Sequence, residues 1–167
     1  MMSGPIENQK RKLSEIYIRA LTHKASTAYG DASWEIDNHK IDSFMVKRCG
    51  KSNRSNVVMA QLKSTSVASK SMVEILDESI RYKLEANLPD FGSINYYLFL
   101  VVVSEPESDW INIDAEKIIM KASSYFLKLD TSVLKPLNKS PYWITIPKLN
   151  LLNENSILSL FEDKNNI

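Results

Sequence analysis

The chain has 167 residues, which fits one domain able to bury a real core. Hydrophobic residues make up 44% and charged residues 25%, as in an ordinary soluble globular protein. The 21 Lys and Arg nearly balance the 20 Asp and Glu, so the formal net charge is +1. That argues against a strongly basic protein that coats nucleic acid, and leaves a local basic patch open.

One cysteine, Cys49, excludes a disulfide framework, a Cys-rich zinc site and a CxxC redox pair. A reducing cytoplasm is the expected compartment. The longest apolar run, Tyr96 to Val103, is far shorter than the roughly twenty residues of a membrane helix, so no membrane partner is expected. Met1 to Pro5 carries no apolar stretch of the signal-peptide kind. Neither GxGxxG nor GxxxxGK[ST] occurs, and His23 and His39 are too few for a histidine metal cage.

The chain reads as a single domain over 1–167, with residues 1–5 and 163–167 as flexible ends. Ile6 to Ala28 reads as a helix, with Leu13, Ile16, Ala20 and Leu21 at helical spacing and Tyr29-Gly30-Asp31 ending it. Lys40–Arg48 and Asn56–Ser64 read as two strands of a hairpin joined by a polar turn. Ser64 to Lys70 reads as irregular. Ile80, Tyr82 and Leu84 alternate with charged residues, as in a half-buried strand. Asn95–Ser104 is apolar on both faces and predicts a central buried strand. Trp110–Ile113 suggests a short strand. Asp114 is placed to cap a helix whose stripe is Ala115, Ile118, Ile119, Ala122, Phe126 and Leu129. Tyr142–Ile146 reads as a strand and Glu154–Phe161 as a short helix. The expectation is an α/β domain with a mixed central β-sheet flanked by helices.

The hairpin carries the informative residues. Gln61 and Lys63 share one strand face while Leu62 points the other way. Buried central strands avoid lysine, and Asp42 stands among apolar neighbours. If the strands pair, Asp42 meets Gln61 and Lys63. One carboxylate, one amide oxygen and one ammonium suit metal-assisted phosphodiester hydrolysis. Mg²⁺ or Mn²⁺ would take Asp42, the Gln61 oxygen and the Leu62 carbonyl. Lys63 would orient the attacking water and offset charge on the phosphate.

Asp37, Ile41-Asp42 and Gln61-Leu62-Lys63-Ser64-Thr65 resemble the PD-(D/E)xK nuclease superfamily, and within it the DUF4365 family with its iD…vQlKst signature. The likeness runs in order from about Glu7 to Phe161, through Tyr82-Lys83-Leu84, Tyr96–Val103, Trp110–Asp114 and Ile144–Leu152. It implies a restriction-endonuclease-like core and a DNA endonuclease, in bacterial restriction or anti-phage defence. It assigns metal binding to Asp42 and the (D/E)xK tail to Gln61 and Lys63. Gln replaces the acid, as in Mrr-like nucleases, which removes one negative charge. Glu15 matches an accessory acid on the first helix; Glu35 and Asp37 are alternatives to it.

Each residue also has an ordinary reading. Lys63 suits an edge strand, Gln61 a buried amide, Asp42 and Asp37 turns, and Glu15 a solvated helix face. Lys47, Arg48, Lys51, Arg54 and Lys70 form the densest basic stretch, able to steer phosphate or simply to solvate a hairpin tip. A lone domain of this size would draw specificity from a homodimer or a partner protein. The alternative function is a weak or inactive nuclease-fold module that binds nucleic acid or a partner protein.

Overall fold

A computed structural model describes residues 5–31, 42–48, 55–84, 95–130 and 141–162. Helix α1 spans Pro5–Lys24 and buries Leu13, Ser14, Ile18 and Thr22 along one stripe. It ends in a Schellman turn. Ser26 takes the left-handed position at φ 53, Ser26 N–H donates to the His23 carbonyl, and Thr27 N–H donates to the Thr22 carbonyl. No glycine marks this stop.

The central sheet has the order β1-β2-β3-β6-β9, formed by Ala28–Asp31, Ser43–Arg48, Ser55–Ser66, Tyr96–Val103 and Ala122–Lys128. β3 runs antiparallel to β2 and parallel to β6, so the sheet is mixed. A second sheet, β10-β5-β4, comprises Tyr142–Pro147, Ser79–Leu84 and Val73–Ile75. Strands β7 (Ile111–Ile113) and β8 (Ile118–Met120) pair as a ribbon. Helix α2, Glu154–Leu160, starts at a capping box between Asn153 and Ser156.

β6 is buried along its whole length and divides the core in two. On one face Tyr97, Phe99, Val101 and Val103 pack with Val58, Ala60 and residues of both helices, including Leu13, Ile18, Ile157 and Leu160. On the other, Tyr96, Leu98, Leu100 and Val102 pack against Val73, Ile80, Tyr82, Ile144 and Ile146 of the second sheet. The domain is therefore mixed α/β, as expected, but its helices cover one face only and a sheet covers the other.

The helix expected over Ala115–Leu129 is absent; the segment forms β8 and β9. Its apolar residues fit a 3.6-residue period, yet they also serve two sheet faces. Phe126 packs with the helices and Tyr125 and Leu127 with the second sheet. Pairing with the buried β6 decides between the two, because it satisfies that strand's edge. Asp114 caps no helix; its Oδ1 accepts the N–H groups of Glu116 and Lys117 in a turn. β1, read above as a stop, is an edge strand, and β3 continues through the stretch read as irregular to Ser66. Among the described residues no helix is long and apolar enough to cross a membrane.

Candidate functional site

The β2–β3 pairing brings Asp42 to Gln61 and Leu62. Ser43 stands opposite Ala60, and the Asp42 N–H donates to the Ala60 carbonyl at 3.0 Å. Asp42 is therefore level with Gln61. Oδ2 of Asp42 accepts the Leu62 N–H at 2.6 Å. A short bond from an amide to a carboxylate is charge-assisted and fixes the carboxylate in place.

Residues 57, 59, 61, 63 and 65 of β3 share one face. Met59 on that face packs with the second-sheet cluster, and Leu62 on the other packs with the helix-side cluster. Gln61 is only 2% exposed, and its Oε1 has no hydrogen-bond partner among the described residues. Thr65 is also buried, and its Oγ1 has no partner among the described residues. Lys63 lies between them and is half-buried. The Leu62 carbonyl leaves the strand on the same side as its N–H, toward Asp42, as in any strand.

Tyr96, paired with Met59, is a neighbour that sequence reasoning missed. Burial raises its phenol far above the ordinary tyrosine range, and the Asp42 carboxylate raises it further. It stays neutral and limits the charge near Asp42. The signal was hidden because Tyr96 opens an apolar run and reads as core.

Other expected residues lie apart. Glu15 sits on α1, on the helix side of the sheet, and its carboxylate takes Arg11 Nε at 3.1 Å. Lys47 pairs with Asn56, about 23 Å along β3 from Lys63 at a strand rise of about 3.3 Å per residue. Lys70 is exposed in the turn beyond the opposite end of β3. The fold puts these two cations at opposite ends of β3. The side chain of Arg48, and all of Glu35, Asp37, Lys51 and Arg54, lie outside the described residues. A cavity of about 290 Å³ between α1 and the segment after β6, walled by Leu13, Ile16, Trp110 and Ile111, shares no lining residue with Asp42, Gln61 or Lys63.

Among the described residues, no three His, Cys, Asp or Glu side chains converge as a metal cluster. The donor set at Asp42 is of another kind: one carboxylate, one buried amide oxygen lacking a partner, and one backbone carbonyl. Hard divalent cations accept oxygen donors of this kind. A buried oxygen without a partner is costly, and a cation would satisfy it. By that test Asp42, Gln61 and Leu62 fit Mg²⁺ or Mn²⁺.

No protein-family model, curated protein or solved structure matches the chain.

Proposed function

We propose that the chain is a PD-(D/E)xK-type nuclease that hydrolyses DNA phosphodiester bonds with Mg²⁺ or Mn²⁺. One observation carries the reading: the Leu62 N–H clamps Asp42 on the level of Gln61, whose buried oxygen has no partner among the described residues, and Lys63 follows Gln61 on the same strand face. The parallel β3–β6 pair with α1 against β3 supports a restriction-endonuclease-like core. By the resemblance to that superfamily, the setting would be bacterial restriction or anti-phage defence in the cytoplasm, with a homodimer or partner protein supplying specificity.

The bound cation would polarise the phosphate and lower the pKa of a water. Asp42 supplies the anionic donor, held by Leu62. Gln61 supplies a neutral donor. The Lys63 ammonium orients the water and offsets charge that builds on the phosphate oxygens. Tyr96 remains protonated and leaves Asp42 as the local anion.

The neutral Gln61 favours one other reading, a nuclease-fold module that holds metal weakly and binds nucleic acid or a partner protein. Cleavage of labelled duplex and single-stranded oligonucleotides with Mn²⁺ separates the two. A nuclease cleaves, and Asp42→Ala abolishes cleavage. A binding module retains the DNA uncut, with or without Asp42.

A further inference from the structure

Strands β7 and β8 form a separate two-stranded ribbon whose outer edges pair with no other strand among the described residues. Ile111 stands opposite Met120 and Ile113 opposite Ile118, so these four side chains share one face. At the base of that face Met120 packs against the helix-side core, and Ile111 lines the cavity of about 290 Å³ with Leu13 and Ile16 of α1. At the tip Ile113 is 69% and Ile118 65% exposed, and Ile16 on the α1 wall is 53% exposed. Single exposed apolar residues are ordinary, but a group on one face marks an interface. The two walls also carry opposite charge. Helix α1 holds five Lys and Arg against two Glu, whereas residues 105–121 hold five Asp and Glu against two Lys. Lys12, at the cavity, and Glu116, in the turn at the ribbon tip, are exposed and form no ion pair among the described residues.

We propose that this surface is a two-fold interface between two copies of the chain: the Ile113–Ile118 tip of each copy enters the α1–ribbon cavity of the other, and its Glu116 meets Lys12 there. A two-fold interface must be complementary to itself. Here the part that fills and the part that receives adjoin on one chain through Ile111. The opposite charges of α1 and the ribbon favour that docking and fix its direction. The acidic ribbon repels phosphate, so DNA is a poor occupant of this face. The inference gives the homodimer a location and stands apart from the reading of the Asp42 site, whose residues it does not use.

Sedimentation equilibrium of the wild type from about 1 to about 100 µM brackets a dimer of micromolar affinity. The mass should rise to twice that of the 19.1 kDa chain. Ile113→Asp with Ile118→Asp changes two exposed side chains, so the variant should keep the wild-type circular dichroism and remain a monomer. Lys12→Glu and Glu116→Lys should each weaken association about tenfold or more, because each sets like charges against one another. Combined in one chain, they should restore it. A wild type that stays monomeric throughout overturns the inference. So does a dimer that survives the paired aspartates, or a charge swap that fails to restore association. The charge series decides alone if the aspartate variant does not fold. Mass is read without metal or DNA, so a protein that dimerises this way and cleaves nothing upholds the interface and defeats the nuclease reading.

Discussion

The carboxylate of Asp42 and the amide of Leu62 are joined by a 2.6 Å hydrogen bond that reaches from the start of β2 to the middle of β3. It continues the ladder with a side chain in place of a carbonyl. The same contact that ends the backbone pairing thus orients the Asp42 carboxylate at the level of Gln61.

Asp42→Ala leaves the Leu62 N–H without its acceptor and should cost about 1–3 kcal/mol of stability. Asp42→Asn keeps an acceptor and should cost about 1 kcal/mol or less, yet remove the anionic donor. Urea unfolding measures the first effect and Mn²⁺ calorimetry the second. The account expects Asn to be nearly as stable as wild type and as weak in metal binding as Ala.

Gln61 separates stability from metal affinity. Gln61→Leu removes a buried oxygen without a partner, so the metal-free protein should be as stable as wild type or more so, while Mn²⁺ binding is lost. Gln61→Glu buries a carboxylate and should destabilise the metal-free protein, while binding Mn²⁺ at least tenfold more tightly. Thermal melts with and without Mn²⁺ read both effects. Equal metal affinity in all three proteins would remove Gln61 from the site.

Alkaline pH should weaken the fold. Burial is the leading cause of the raised phenols of both Tyr96 and Tyr29. A folded pKa above the unfolded value means the native state holds the proton longer. Its contribution is complete below about pH 10, the unfolded tyrosine value, and is lost as pH rises beyond it. Urea midpoints between pH 8 and pH 11 should therefore fall above about pH 10. Tyr96→Phe should flatten the fall without removing it, because Tyr29 remains.

Gly30 faces Phe44 across the β1–β2 pair, and a β-carbon at Gly30 would overlap the Phe44 ring. Gly30→Ala should cost about 1–3 kcal/mol, the range for overpacking. Phe44→Leu should recover part of that loss. Chemical denaturation of the single and double variants gives the coupling, and additive effects would contradict the contact.

Much of this architecture was legible in the residues. The β2–β3 hairpin, the buried β6 and the α2 segment follow from alternation, an unbroken apolar run and a compact apolar stripe. So does the register of Asp42 with Gln61, because pairing two strands fixes which residues stand opposite, and the shared face of Gln61 and Lys63 follows from strand alternation. The Ala115–Leu129 segment was not legible. Helical and two-faced strand patterns coincide there, and only the edge of β6, distant in sequence, selects the strand. The end of α1 hid behind a serine in a left-handed turn that normally signals glycine. Tyr96 was hidden because it opens an apolar run and reads as core.

The central claim is that Asp42, Gln61 and Lys63 form a metal-dependent nuclease centre. Supercoiled plasmid incubated with purified protein in Mg²⁺, in Mn²⁺ and in EDTA, beside the Lys63→Ala variant, tests it most directly. Lys63 is half-buried and its truncation removes no hydrogen bond seen among the described residues, so the variant should fold. The account predicts nicking or linearisation with metal, none with EDTA, and a loss of at least a hundredfold in Lys63→Ala, the low end of what one positioned catalytic group contributes. Cleavage that survives in Lys63→Ala, or intact plasmid under every condition, would contradict it.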